Sequence, residues 1–378
     1  MQKRIRIVSV GIFFVILLIG IIVLNNNFNN KYSFTQDGIR YALTLDGEKT
    51  TSFPPKGMYK ALVICDGADG RWLYDEWKLA IENITGDISC DIDFSTINKT
   101  NLNDYIISLA GTTQGTGQVV NENGYRYEGK NPNNYIWFNN EYWRIIGVFD
   151  SASHGVSGKN LVKIIRADVL DGLAWNKSNT NDWTASSLKS LLNGAYYNAQ
   201  DGTNSGYCYG YSTTATANCD YTKRGIQAGY RGMIASVTWH LGGYLSTSAT
   251  TSAFYGYERG TTVYSGRPTS TTGYIGLMYP SDYGYSVLSS SCARTTNLGS
   301  YSSATCAGQS WLYGKGYEWT LTPYSSYSDS VFILRYNGYV HGSTAINGCG
   351  SRPVLYLDAS VYKIDGDGSL NNPYIVGM

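Results

Sequence analysis

Asn337-Gly338 separates two runs of alternating apolar residues, Val331–Tyr336 and Tyr339–Gly342. Asn-Gly in that setting is the strongest short-range hairpin signal a sequence carries. A β-hairpin with its turn at 337–338 is therefore expected, and it constrains the whole block Tyr317–Leu357. Trp319, Thr320 and Pro323 open that block. Arg352 and Pro353 lead into Val354–Leu357, a further strand whose proline stands at the first residue, where a missing N–H is tolerated.

The same block carries the candidate binding residues. Tyr317, Trp319, Tyr324, Tyr327, Tyr336, Tyr339 and His341 alternate with Ser325, Ser326, Ser328, Asn337 and Ser343. Tyrosine offers a large, rigid, amphipathic contact at low entropic cost, and Ser, Gly and Asn add adaptable hydrogen bonds; antibody paratopes use this mixture. Tyr317, Tyr324, Tyr327, Tyr336, Tyr339 and His341 are the expected ligand-binding set. Alternate residues of a hairpin point to opposite faces, so these side chains cannot all face outward together. The competing reading makes Trp319, Val331, Ile333 and Val340 core and the remainder an ordinary secreted-protein surface.

The composition suits an extracellular, loop-rich protein. Charged residues are 15% of the chain, below the usual quarter, and 43 glycines and 34 tyrosines stand in their place. A net charge of +1 gives no electrostatic case for nucleic acid. Lys3, Arg4 and Arg6 precede an uncharged apolar run, Ile7–Leu24, which is 18 residues long and near the lower limit for spanning a bilayer. It reads as a membrane anchor with a cytoplasmic N-terminus, or as a cleaved signal peptide; both export the remainder. Seven cysteines fit an oxidising compartment. The simplest arrangement pairs Cys65 with Cys90, Cys208 with Cys219 and Cys292 with Cys306, leaving Cys349 free, although connectivity does not follow from sequence alone. No pair has C-x-x-C spacing, which weakens zinc and redox readings.

Taken in order, residues 1–24 are the anchor or signal and 25–55 an Asn-rich stalk. Residues 56–98 are a small β module stapled by Cys65 and Cys90, with strands at Tyr59–Cys65, Trp77–Ile84 and Cys90–Phe94. The turn Asp66–Gly70 lacks the ligand register and terminal Glu of an EF-hand calcium loop. Residues 99–130 form a linker, with a helix Leu102–Leu109 capped by Asn101 or Asn103 and a Gly-rich loop. The main domain, 131–378, opens with strands Tyr135–Phe138 and Tyr142–Phe149 around Asn139-Asn140, then Leu161–Arg166. Trp183, Leu188, Leu191 and Leu192 have helical spacing, with Asp182 or Thr184 as cap and Gly194 as stop. A second helix is expected over Ile226–Leu241. Ser246–Gly316 reads mostly as long loop, with an ordered tract at Gly273–Tyr285.

The C-terminal block resembles the core of C-type-lectin-like domains, in the variant shared by formylglycine-generating enzymes, the variable proteins of diversity-generating retroelements and many gut-bacterial surface domains. Trp319, Thr320, Pro323, Tyr324, Ser325, Ser326, Asn337, Gly338, Val340, Gly350, Arg352 and Val354 match its order and spacing over about forty residues. The resemblance implies an α+β, C-type-lectin-like C-terminal domain, here preceded by a transmembrane helix and the small disulfide-stapled β module. Formylglycine-generating enzymes act through two C-terminal cysteines; this block holds only Cys349, so that activity is not expected. The Glu-Pro-Asn or Gln-Pro-Asp loop of calcium-dependent lectins is missing, which argues against calcium-mediated sugar binding.

Nothing else in the sequence carries chemistry. His154, His240 and His341 are the three histidines, and none stands in a G-x-S-x-G, H-E-x-x-H, P-loop or dinucleotide context. Glu318 and Asp329 are too isolated to form a designed carboxylate pair. No catalytic residue, cofactor or metal is expected. The expected function is adhesion-like binding of an extracellular glycan or protein by an exported surface protein. The alternatives are a structural envelope or pseudopilus-like component, and an enzyme on the formylglycine-generating scaffold.

Overall fold

The computed structural model describes residues 6–7, 34–36, 38–74, 76–97, 99–211, 218–314 and 316–378. The chain forms two compact units, Met1–Lys99 and Thr100–Met378. Strands hold 38% of the residues and helices 15%, so the fold is mostly β, arranged in several sheets, and the expected α+β class is corrected. Apart from Ile7, the apolar run Ile7–Leu24 lies outside the described residues. Ile7 itself belongs to a two-residue strand, Arg6–Ile7, paired with Ala80 and Ile81. Among the described residues no helix is long and apolar enough to cross a membrane.

The first unit begins before residue 56. Ile39, Tyr41 and Leu43 alternate with Arg40, Ala42 and Thr44, the period of a half-buried strand. This strand, Ile39–Leu45, lies parallel to Ile88–Thr96, which also pairs antiparallel with Tyr59–Asp66. From Phe34 onward, then, the stretch read as a stalk contributes strands to the sheet; residues 25–33 lie outside the described set. Asp69–Leu73 and Lys78–Glu82 form a second hairpin. Trp72, Trp77 and Phe94 fill the core between, with ring centroids 5.0–6.0 Å apart. Cys65 and Cys90 face each other directly across neighbouring strands and are bonded, which staples a core too small to be secure by itself.

Residues 100–130, read as a linker, belong to the second unit. Leu102–Ser108 is helical, with the Asn101 side chain accepting from Asn103 N as the cap. Gly117–Asn121 and Tyr125–Gly129 pair with each other, and the latter pairs with Glu141–Phe149 in an 11-stranded sheet. Tyr135–Phe138 and Glu141–Phe149 make the expected hairpin, and Asn139 and Asn140 both take positive φ, 57° and 59°, as a type I′ turn requires. The closing strand Tyr374–Gly377 runs parallel to Tyr135–Phe138. Leu161–Arg166 joins Glu141–Phe149 to Val354–Tyr356.

Two helix expectations change. Trp183, Leu188, Leu191 and Leu192 are buried as their spacing implies, but the segment splits into a 3-10 turn, Trp183–Ala185, and a helix, Ser187–Leu191. Asp182 caps the first and Ser186 the second. Gly194 does not stop the chain; it lies inside a π turn, Leu192–Tyr196. The helix expected over Ile226–Leu241 is replaced by one turn, Ala228–Arg231, and a strand, Val237–His240, paired with Ser270–Gly273. Its β-branched and aromatic residues alternate in burial, which suits a pleated surface. Ser246–Gly316 is also more ordered than expected, with helices Thr251–Glu258 and Pro280–Ser286.

A buried ionic group joins this sheet to those helices. The Asp282 carboxylate accepts from Arg126 Nη1 at 3.0 Å and Lys163 Nζ at 2.5 Å, and all three side chains are at most 1% exposed. Tyr279 N also donates to Asp282, capping the helix Pro280–Ser286. Burial pushes the Asp282 carboxyl up, but the Lys163 and Arg126 charges outweigh it and hold it at about 2.

Candidate functional site

The block Tyr317–Leu357 is built on a second, five-stranded sheet. Its order is Leu170–Ala174, Gly348–Ser351, Glu318–Pro323, Ser330–Leu334, Val340–Thr344. Trp319 Nε1 donates to Leu173 O at 2.7 Å and Trp175 Nε1 to Thr320 O at 3.1 Å, so the two indoles lace the sheet together. Glu318, isolated in the sequence, is buried against Arg352, whose Nε donates to it at 2.6 Å. Arg352 also donates to Leu312 O at 2.7 Å. These are structural partners, and both are nearly solvent-free.

The hairpin forms, with Leu334 opposite Val340 and Ile333 opposite His341. Its turn is longer than a two-residue Asn-Gly turn. Gly338 N donates to Arg335 O at 2.8 Å and Arg335 N to Tyr339 O at 3.0 Å. Only Gly338 has positive φ, 102°, as in a three-residue loop closed by a left-handed glycine. Tyr336 and Asn337 thus occupy the loop itself.

This loop is pinned, not free. Tyr283 OH donates to Gly338 O at 2.6 Å, Ser303 N to Asn337 O at 2.9 Å and Tyr313 OH to Tyr336 O at 2.5 Å. Ser303 lies in the segment closed by the Cys292–Cys306 disulfide. The other two expected bridges, Cys65–Cys90 and Cys208–Cys219, are also present, and Cys349 is a buried free thiol.

The six candidate residues fall into two groups. Tyr336, Tyr317, Tyr339 and His341 gather at the turn end, with Tyr317 and Tyr339 beside the Arg335 guanidinium. The Tyr317 and Tyr336 rings meet at 5.4 Å, and those of Tyr339 and His341 at 5.9 Å. Arg335 Cζ lies 5.5 Å from the Tyr317 centroid and 5.1 Å from that of Tyr339, close enough for cation–π attraction. Tyr317, Tyr336 and His341 are exposed and Tyr339 half-buried. Beside them opens a hollow of about 330 Å³, lined by Tyr317, Arg335, His341, Ser343, Asn347 and Cys349 among others.

Tyr324 and Tyr327 belong to a different place, near Asn181, which donates to both of their carbonyl oxygens. Tyr324 is a correction: its ring stacks on Phe332 at 4.0 Å and only 7% of the residue is exposed. Burial pushes its phenol up to about 12. It packs on Gly342, where a Cβ would come within 2.6 Å of the ring. Tyr327 is 58% exposed and touches the edge of Tyr324.

Arg335 and Asn347 were not among the expected binding residues. A signal for Arg335 was present: it shares a strand face with Ile333, whose cross-strand partner is His341. Among the described residues, no three His, Cys, Asp or Glu side chains gather as a metal site. Burial pushes the Cys349 thiol up to about 12, so it is a poor nucleophile at neutral pH. No protein-family model matches this chain, and comparisons with curated proteins and with solved structures give no significant match.

Proposed function

We propose that this is an exported ligand-binding protein whose recognition face is the turn end of the C-terminal hairpin. The observation that carries the reading is that Tyr317 and Tyr339 flank Arg335, with Tyr336 against Tyr317 and His341 against Tyr339, beside an open hollow. Amphipathic rings held in place bind without a large ordering cost. Here the loop that presents them is pinned by three hydrogen bonds and abuts a disulfide-closed segment. Three disulfides support an oxidising compartment and hence export. Glycan or protein ligands both suit such a face, and aromatic rings stack well on sugars.

The test is a binding screen of the full chain against a glycan array and host mucins. It is run beside a Tyr317→Ala/Tyr339→Ala variant shown to be folded by circular dichroism. Saturable binding lost in the folded variant supports the reading; equal binding by both removes this face from it.

A further inference from the structure

Resting on that reading of the face, we infer that the hollow takes a sugar bearing a carboxylate, and that Arg335 recognises the carboxylate. Among the described residues Arg335 is the only Lys, Arg, Asp or Glu lining the hollow; Tyr317, His341, Ser343 and Asn347 supply further polar groups. The described lining therefore carries the Arg335 charge with no carboxylate beside it.

Arg166 is paired with Glu141, Arg259 with Glu258, Arg294 with Glu122 and Glu128, and Arg352 with Glu318. Arg144, Arg231 and Arg267 instead donate to backbone or amide oxygens. Arg335 forms no ion pair among the described residues. Its Nη2 reaches Tyr317 OH at 3.4 Å, and its Nε is enclosed without a hydrogen-bond partner. The terminal Nη edge is what remains for a ligand. A planar guanidinium matches a carboxylate through two parallel N–H···O bonds, and such charge-assisted bonds are about twice as strong as neutral ones. A doubly charged phosphate would call for more than one cation, and among the described residues no second Lys or Arg lines the hollow.

The rest of the lining suits a sugar ring. Tyr317 gives a face for the ring's C–H groups, while Ser343 and Asn347, joined by a 2.8 Å hydrogen bond, offer donors and acceptors to hydroxyls. The hollow's volume is at the lower end for small-molecule sites, which fits one terminal sugar unit.

The experiment is titration calorimetry of the full chain with sialyllactose and an oligogalacturonate. The same two sugars with carboxyl groups reduced to alcohols, and a sulfated disaccharide, serve as comparison probes. At least one acidic sugar is expected to bind about tenfold more tightly than its reduced form, a difference that one charge-assisted pair supplies. Arg335→Gln should bring the acidic sugar's affinity to within about twofold of its reduced form's, and Arg335→Lys should restore only part of the difference. Equal binding of acidic and reduced sugars, or preference for the sulfated probe, overturns the carboxylate assignment but leaves the face as a ligand site. Loss of binding in Tyr317→Ala with none in Arg335→Gln has the same meaning. No binding of any probe by the folded wild-type chain overturns the sugar-acid inference, and the array screen then decides separately whether the face binds anything.

Discussion

Gly338 stands so close to Ala307 that a Cβ added to it would lie 2.3 Å from the alanine methyl. Its φ of 102° already disfavours any other residue. The turn that carries Tyr336 is thereby fitted against the segment that ends in the Cys292–Cys306 bridge. Gly338→Ala combines a strained backbone with overpacking and should cost about 1–3 kcal/mol. Urea denaturation reads this directly, and ligand affinity should fall with it. An unchanged midpoint would mean that the loop can move away from Ala307.

Removing the disulfide should act on the same loop from the other side. Cys292→Ser/Cys306→Ser opens a short loop, for which the chain-entropy account expects a loss of about 3 kcal/mol. The recognition face should lose affinity more than the rest of the unit loses order. Hydrogen exchange would show this as faster exchange at Ser303 and Gly338 than at Ile164 and Leu355.

Asp282 gives a pH prediction. Its folded carboxyl, held at about 2 against an unfolded value of about 3.9, contributes stability that is complete above pH 4. That contribution, about 2–3 kcal/mol, should be lost as the pH falls from about 4 through 2. Asp282→Asn should cost about 3–5 kcal/mol at neutral pH, because Arg126 and Lys163 would stay buried without their counter-charge. The acid-sensitive part of the denaturation profile should shrink in the same variant.

Cys349 should be slow to alkylate. Burial raises its thiol to about 12, so at pH 8 iodoacetamide should label it far more slowly in the native than in the denatured chain. Rapid native labelling would instead revive the redox-enzyme alternative.

The sequence and the structure agree best where a signal is local. The disulfides joined cysteines 11 to 25 residues apart, and Asn139-Asn140 made its hairpin where it was expected. Disagreement follows where partners are distant. Met233, Ile234, Val237 and Trp239 are buried as the helix expectation required, yet Val237 and Trp239 lie in a strand paired with Ser270–Gly273 and Ile234 bridges Leu357. Asp46-Gly47, a turn signal inside the expected stalk, joins Ile39–Leu45 to Glu48–Thr50. Tyr324 reads in sequence like Tyr327, and only the stacking on Phe332 and the space left by Gly342 separate the buried ring from the exposed one. Glu318 looked purposeless because its partner Arg352 lies 34 residues away.

The most direct test of the recognition face compares two tyrosines of similar exposure, Tyr336 at 53% and Tyr327 at 58%, which lie in different groups. Dissociation constants for the best ligand of the array screen are measured for Tyr336→Ala and Tyr327→Ala in the full chain. The account predicts a weakening of about tenfold or more for Tyr336→Ala, as expected of an aromatic anchor, and no change for Tyr327→Ala. Weakening by Tyr327→Ala alone, or equal effects of both, would contradict it.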